Sequence, residues 1–238
     1  MNETINLMNA HTSVRRFTEE QISDKELRAI IDAGRAASSW KNFQSYSIIV
    51  VRSQEKKEAL FELVPQKAIL QASAFLLFVG DLNRAEKGVR LHTEDFYSEG
   101  IENLLITSVD AALAGQNTLL AAESMGYGGV IIGLARYVSK EIAELLKLPD
   151  YTYPVFGMAL GKPNQNHAVK PRLPYEAVVF EESYQEQGSS AIEVYDRVQA
   201  DYAGERAQDT WSQRLAAQFG QEPNQAIDQL FKEKKLEK

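Results

Sequence analysis

The longest apolar stretch of the chain runs from Ile101 to Gly133. It contains no proline for roughly six helical turns, and apolar residues occupy most of its sides. A helix that is apolar nearly all round is a buried one. Small residues such as Ala111, Ala114 and Gly115 let another backbone approach closely. The pattern therefore predicts a helix at the centre of the fold, which is also a candidate for half of a subunit interface.

A glycine-rich turn follows this helix. Gly126 is typical of the residue just past a helix end, and residues 130–132 (VII) predict a buried strand. Gly128 and Gly129 lie between the two. They fit either a tight turn from helix to strand or a stretch of bare backbone that a flat or anionic ligand approaches.

The remaining elements follow from capping signals and apolar spacing. Ser23 and Glu26 form a capping-box pattern, and the spacing after it predicts an amphipathic helix over residues 24–37. Runs of apolar and β-branched residues predict strands. The predicted strands are residues 46–51, 74–79, 130–132, 153–160 and 177–180. Further helices are predicted at residues 2–10, 54–63, 140–147, 189–202, 209–219 and 224–236.

Five strands among helices indicate a layered fold of the α/β or α+β class. After Ser183 the composition changes to polar helices with few apolar anchors. Such helices need a preformed surface, which either the same domain or a partner subunit supplies. The sequence therefore predicts a core of residues 1–184 and a C-terminal helical extension of residues 185–238.

The net charge and the absence of cysteine exclude several classes of function. The 238 residues carry a formal net charge of -7, and the pI is about 5.2, which argues against nucleic-acid binding. The chain has no cysteine, so any redox chemistry must be carried by a bound cofactor. It shows no apolar signal core and no apolar run that approaches membrane-spanning length. These features predict a soluble cytoplasmic protein.

Common nucleotide and metal motifs are missing from the sequence. Gly126, Gly128 and Gly133 have the wrong spacing for a dinucleotide fingerprint, and they enter a strand rather than a helix. The three histidines lack metal-ligand spacing, so no metal site is predicted.

Two short basic segments remain as candidates for anion binding. The first places His11, Ser13 and Arg15 on one side if the segment is extended. The second, residues 170–172 (KPR), is stiffened by proline, which reduces the entropy lost when its two cations hold a ligand. Both suit a phosphate monoester. Each segment taken alone also fits a solvated cluster of surface charges.

Several short motifs, taken in order, resemble one family. They are H-x-S-x-R-x-F near the start, A-A-S-S with Gln44, then Gln66, M-G-x-G-G-V-x-I-G-x-x-R, Y-P-x-F-G-x-x-x-G-x-P and K-P-R-L-P. The chain resembles the FMN-dependent nitroreductase superfamily, most closely its NADPH nitroreductase/flavin reductase subgroup. The resemblance implies an α+β, nitroreductase-like fold: a mixed, mostly antiparallel five-stranded sheet packed between helices.

The resemblance also implies a homodimer with FMN bound at the dimer interface, and it assigns site residues. Positions that match contacts to the FMN phosphate are His11, Ser13, Lys170 and Arg172. Positions that match contacts to the rest of the flavin are Arg15, Ser39, Gln66, Gly128, Gly129 and Val130. Positions that match the substrate or NADPH side are Trp40, Phe43 and Arg206.

The implied reaction is a two-step transfer. NADPH, with NADH as an alternative donor, gives hydride to flavin N5 and leaves before a nitroaromatic, quinone or free flavin is reduced. Arg15 would stabilise the negative charge near flavin N1, and no protein group is predicted as catalytic because the flavin carries the chemistry. After Ser39 the chain has residues 40–43 (WKNF) where the subgroup tends to have a run of serines and one aromatic, and the bulky Trp40 leaves the acceptor range open. The alternative function is an FMN-binding storage or sensor protein without turnover.

Overall fold

The computed structural model describes residues 2–237, so the outer ends of the two predicted domains, residues 1 and 238, lie outside it. The helices are α1 (Glu3–Asn9), α2 (Asp24–Arg35), α3 (Gln54–Leu63), α4 (Lys67–Gln71), α5 (Asn83–Val89), α6 (Ile101–Ser124), α7 (Ser139–Leu145), α8 (Ser190–Ala203), α9 (Trp211–Phe219) and α10 (Ala226–Glu233). The strands are β1 (Tyr46–Val51), β2 (Ala74–Asp81), β3 (Gly128–Ile132) and β4 (Thr152–Gly161). Short 3₁₀ turns lie at Trp40–Asn42, Gly133–Val138, Tyr175–Ala177 and Gly204–Arg206.

The described chain divides into two compact units. Unit 1 comprises residues 2–167 together with 225–237, and unit 2 comprises residues 168–224. These bounds differ from the predicted division after residue 184. Unit 2 begins at residue 168, and the chain returns to unit 1 at residue 225.

Unit 1 is built on a four-stranded sheet with the order β1-β2-β4-β3. Every neighbouring pair of strands is antiparallel, so the sheet is not mixed as predicted. All residues of β2 and β4 are buried. Since successive side chains of a strand point to opposite faces, full burial means that both faces of these central strands are covered.

The predicted fifth strand at residues 177–180 is wrong. In unit 2 this segment overlaps the 3₁₀ turn at Tyr175–Ala177 and continues without strand structure. Val178 and Val179 are 60% and 42% exposed. A short β-branched run forms a strand only beside a partner strand, and the described residues of unit 2 form none.

Helix α6 packs against the sheet and α2, as its small residues predict. A Cβ on Gly34 of α2 would stand 2.0 Å from Thr118 Oγ1 and 3.1 Å from the Ala114 carbonyl oxygen. A Cβ on Gly115 would stand 2.5 Å from Cζ of Phe156 in β4. Glycine at these two positions therefore allows both neighbours to reach the helix.

The prediction that α6 is buried on nearly all sides is wrong for one face. Ile101, Leu105, Val109 and Leu113 are 76%, 53%, 51% and 43% exposed. Their spacing of four residues places them in one row along the helix. The row, here called the α6 stripe, is an apolar surface that unit 1 leaves uncovered.

Helix α6 also has the length and apolarity of a membrane-spanning helix, contrary to the expectation from sequence. It has 24 residues, and its most apolar 18-residue window has a mean hydropathy of 1.2. The core helix of a soluble protein meets the same criterion. In α6 the buried face carries Thr107, Asp110 and Thr118, which pack inside unit 1.

Two predicted helix signals are confirmed. Ser23 Oγ accepts the Glu26 N–H at 3.2 Å, and the Glu26 carboxylate accepts the Ser23 N–H at 3.2 Å. The hydroxyl and N–H of Ser23 hold the pKa of Glu26 below its ordinary value. At the other signal, Gly126 has φ +77°, and the Tyr127 N–H donates to the Ala122 carbonyl at 3.0 Å beyond the end of α6.

Helix α10 completes the core of unit 1. Leu230 is 1% exposed. The Tyr151 N–H donates to the Lys234 carbonyl at 2.8 Å, and the Ser98 hydroxyl donates to the Lys235 carbonyl. The end of the chain is therefore built into this unit.

Candidate functional site

The basic segment that begins at His11 runs beside β3. The Val14 N–H donates to the Gly129 carbonyl at 2.9 Å. Val14 is buried, and its side chain fills the space next to Gly128, where a Cβ would stand 2.7 Å from Val14 Cγ2. The structure thus brings the predicted N-terminal segment and the predicted glycines of β3 together.

These glycines are packed rather than bare. Gly128 and Gly129 are buried and pair with Gly161 and Leu160 of β4. A Cβ on Gly129 would stand 2.6 Å from Leu160 Cδ2. The turn from helix to strand is made by Gly126, and the two glycines that follow belong to the buried strand β3.

His11 is held by a carboxylate that the sequence did not reveal. His11 Nδ1 lies 2.6 Å from Glu123 Oε1 in the last turn of α6. The side chains are 26% and 11% exposed, so the pair is partly shielded from water. The two residues are 112 positions apart, and no sequence pattern connects them.

The loop after β4 holds the next part of the basic segment. The Ser13 carbonyl accepts hydrogen bonds from Arg15 Nη1 at 3.4 Å and from Gln165 Nε2 at 3.3 Å. The Asn164 N–H donates to the Arg16 carbonyl at 2.9 Å. Arg15 itself is exposed. Two flanking elements therefore fix the backbone, while the guanidinium stays accessible.

Further charged groups lie at the end of α6. Lys162 Nζ is 5.6 Å from the centroid of the Tyr127 ring and would be 3.7 Å from a Cβ on Gly126. Desolvation raises the pKa of the Tyr127 phenol, and the Glu26 carboxylate adds to that shift. This end of the helix thus has the Lys162 ammonium group near it as well as the His11 imidazole.

The predicted residues Ser39, Trp40 and Phe43 lie in one loop, residues 39–45, which we call the aromatic loop. Helix α6 anchors both ends of this loop through Asp110. The Asp110 carboxylate accepts the Trp40 N–H at 2.9 Å and the Ser45 N–H at 3.0 Å. Asp110 is 1% exposed, so these bonds are made away from water.

The aromatic loop holds an unusual backbone and an exposed ring pair. Lys41, Asn42 and Gln44 have φ of 48°, 58° and 52°, a left-handed conformation that costs about 1 kcal/mol or more at each non-glycine residue. The rings of Trp40 and Phe43 meet edge to face, with centroids 5.5 Å apart. The Trp40 and Phe43 side chains are 43% and 62% exposed, so both rings are accessible to solvent.

Arg84 holds the outer side of the aromatic loop. Its guanidinium donates to the Gln44 carbonyl at 3.0 Å, to Ser47 Oγ at 2.9 Å and to the buried Asp81 at 3.1 Å. Phe43 and Arg84 line an open pocket of about 820 Å³. The loop is therefore fixed from both sides.

Gln66 lies apart from these contacts. It is exposed at the start of α4, and its backbone N–H donates to the Val64 carbonyl at 2.6 Å. Within residues 2–237, no side-chain hydrogen bond joins it to another predicted site residue.

Unit 2 holds the second basic segment against α8. The Tyr195 hydroxyl and Gln199 Nε2 donate to the Pro171 carbonyl at 2.8 and 3.2 Å. The Tyr202 hydroxyl donates to the Ala168 carbonyl at 2.8 Å. Tyr195 and Gln199 are buried. The loop that carries the two predicted cations is therefore fixed by side chains as well as by proline.

Lys170 and Arg206 line the same pocket of unit 2, which measures about 310 Å³. Arg214 and Asp209 also line it, so three cations face it with one carboxylate. The Arg172 guanidinium instead donates to the Lys170 carbonyl at 2.7 Å. The pocket is suited to an anion such as a phosphate.

Family models match nearly the whole chain. The model described as the nitroreductase family matches residues 8–162, and the model described as the nitroreductase family, C-terminal domain, matches residues 170–238. The chain belongs to the nitroreductase family. This family membership agrees with the order of motifs in the sequence.

Members of the nitroreductase family resemble the chain along most of its length. The chain is 41% identical over 223 residues to the oxygen-insensitive NADPH nitroreductase of Salmonella typhimurium, covering 90% of each protein. It is 39% identical over 230 residues to the FMN reductase (NAD(P)H) of Bacillus subtilis, covering 92% of each. The structure of B. megaterium NfrA2 matches with a TM-score of 0.96 and 36% identity, covering 100% of this chain and 99% of that one. The nitroreductase-like fold is therefore confirmed, with four strands instead of five.

Proposed function

We propose that the protein is an FMN-dependent oxidoreductase that uses NADPH, with NADH as an alternative donor, to reduce nitroaromatics, quinones or free flavins. The names of two relatives, an NADPH nitroreductase and an FMN reductase, support this proposal. Bound FMN would supply the chemistry by taking hydride from the nicotinamide and passing two electrons to the acceptor. The chain's own residues bind and orient the reactants.

The observation that carries the proposal is the set of groups beside β3. His11 and Ser13 offer an imidazole and a hydroxyl from a segment hydrogen-bonded to Gly129, and both suit a phosphate. Arg15 supplies an exposed guanidinium two residues further on, where it would offset negative charge on a reduced ring. The chemistry of this donor set fits FMN.

The remaining site residues keep the roles that the family resemblance assigns. Lys170 and Arg172 are assigned to the FMN phosphate, and Arg206 to NADPH or substrate. Residues assigned to the rest of the flavin are Ser39, Gln66, Gly128, Gly129 and Val130. The exposed ring pair of Trp40 and Phe43 gives a planar acceptor an aromatic surface to rest on.

We further propose that the enzyme is a cytoplasmic homodimer without nucleic-acid or membrane partners. The α6 stripe supports the dimer, because a row of four exposed apolar side chains on one helix is a surface that a second copy would cover. The net charge of -7 is unfavourable for binding nucleic acid.

Anaerobic mixing with NADPH tests the proposed reaction. The FMN-loaded protein is expected to lose its visible flavin absorbance in a single fast phase, and a nitroaromatic or quinone should restore it. Repeating the experiment with NADH measures the donor preference. Bound flavin that NADPH and NADH both fail to bleach would contradict the enzyme and favour the storage or sensor alternative.

A further inference from the structure

The pair of His11 and Glu123 fixes which ring nitrogen of His11 carries hydrogen. An ionised carboxylate only accepts hydrogen bonds. At 2.6 Å from Glu123 Oε1, His11 Nδ1 must therefore be the donor. The second ring nitrogen, Nε2, is left for another partner, and the 26% exposure of the His11 side chain leaves it room.

The position of Glu123 makes a neighbouring cation favourable. It lies in the last turn of α6, where the carbonyl groups of a helix concentrate partial negative charge and disfavour a carboxylate. That turn contains no basic residue. Lys162, the other cation near this end, lies against the Tyr127 ring. His11 is the group that contacts the carboxylate directly.

We propose that Glu123 is a positioning residue for the cofactor phosphate, acting through His11. The inference rests on the proposed function. A phosphate, like a carboxylate, presents acceptors, so a histidine between the two donates from both ring nitrogens. Glu123 thereby orients the ring through Nδ1 and leaves Nε2 for the phosphate.

The competing explanation is a purely structural tie between the N-terminal segment and α6. The two explanations differ in what they affect. A structural tie supports every part of the site equally. A positioning role affects only ligands that carry the phosphate, and only while His11 is present.

The test compares FMN with riboflavin, which has the same ring system without the phosphate. Both are titrated into the flavin-free full chain and followed by flavin fluorescence. Glu123→Gln is expected to weaken FMN binding about tenfold, the low end of the effect of removing carboxylate partners of metal-bound histidines. Its riboflavin affinity should stay within about twofold of the unmodified protein. Glu123→Asp, which keeps the charge, should recover part of the FMN affinity.

The effect of Glu123→Gln on FMN affinity in the His11→Ala background distinguishes the two explanations more clearly. Without His11, the carboxylate of Glu123 only repels a phosphate, so Glu123→Gln added to His11→Ala should leave FMN affinity equal or higher. Glu62→Gln on α3 removes the same charge from an exposed position and should change neither affinity. The thermal unfolding midpoint of each flavin-free variant verifies that it is folded.

Two outcomes would overturn the inference: equal loss of FMN and riboflavin affinity in Glu123→Gln, or an undiminished effect of Glu123→Gln in the His11→Ala background. An unmodified protein that binds neither flavin would instead refute the proposed function. The two failures are therefore distinguishable.

Discussion

At the scale of single residues, two carboxylates of α6 form hydrogen bonds to the segments that carry predicted site residues. Asp110 anchors the aromatic loop by two backbone N–H groups, and Glu123 holds His11. Neither side chain is among the predicted site residues. Both act by fixing the segments that carry those residues.

Loss of the Asp110 carboxylate should destabilise unit 1. Asp110→Ala leaves two N–H donors unpaired, the buried one of Ser45 and the part-buried one of Trp40. An unpaired buried donor costs about 1–3 kcal/mol, so we expect the free energy of unfolding to fall by about 3 kcal/mol. Asp110→Asn keeps one acceptor and should lose about half as much. Urea denaturation followed by far-UV circular dichroism measures both values.

The control for this prediction is Glu102→Gln, an exposed position in the first turn of the same helix. It removes a favourable charge beside the helix N-terminus and should lower the free energy of unfolding by less than about 1 kcal/mol. An Asp110→Ala variant as stable as this control would show that the aromatic loop does not depend on the carboxylate.

The sequence suggests candidate site residues, but it does not reveal the two carboxylates that fix their segments. Asp110 contacts residues 70 and 65 positions away, and Glu123 contacts one 112 positions away. Helical spacing and capping patterns reach only a few residues along the chain, so such pairs are invisible to them. A usable signal was present, because Asp110 is a lone charge in the middle of an apolar helix.

At the scale of elements, α6 is organised as two faces. Its small residues admit α2 and β4, and its row of large apolar residues is left exposed. Composition gave the first face correctly. The apolar spacing predicted burial for the second face as well, because spacing does not distinguish a core position from an exposed apolar surface.

The close contacts of α6 predict the effect of adding a single methyl group. Gly34→Ala and Gly115→Ala should each lower the free energy of unfolding by about 1–3 kcal/mol, since overpacking a filled core forces its neighbours to move. Gly34→Ala should be the worse of the two, because its Cβ would also meet a backbone oxygen of α6 at 3.1 Å. Thermal and urea unfolding provide the comparison.

Gly88→Ala is the matched control, because Gly88 lies in α5 and a Cβ there meets nothing within 4 Å. It should leave stability unchanged or raise it by up to about 1 kcal/mol, as alanine favours a helix. If all three substitutions had the same effect, helix propensity rather than packing would account for them.

Local signals predicted most element positions but not the limits of the sheet. The capping box at Ser23 and the glycine at 126 mark helix ends through contacts between near neighbours. Residues 177–180 have strand composition, yet a strand also requires a hydrogen-bonding neighbour, which composition does not reveal. The predicted strand at residues 177–180 is therefore wrong because it has no neighbouring strand to pair with, although its residue types favour a strand.

At the scale of the whole molecule, the proposed homodimer depends on the α6 stripe as the surface of contact between the two subunits. Leu105→Glu places a charge in the row and should convert the proposed dimer to monomers, because burying an unpaired charge is costly. Leu105→Met preserves the apolar surface and should leave the dimer intact. Sedimentation velocity of both variants, with circular dichroism to verify folding, makes the measurement. A Leu105→Glu protein that sediments as the unmodified one does would place the subunit contact elsewhere.

The return of the chain to unit 1 has a consequence for biosynthesis. Domains generally form in the order in which the ribosome makes them, N-terminal first. Here the first unit lacks α10, with its buried Leu230, until residues 226–233 are translated. Residues 168–224 are already synthesised by then, so the nascent chain exposes the hydrophobic surface of unit 1 that α10 later covers, while unit 2 can already fold. A chain that terminated before residue 226 would accordingly lack part of the core of unit 1, although residues 2–167 of that unit had been made first.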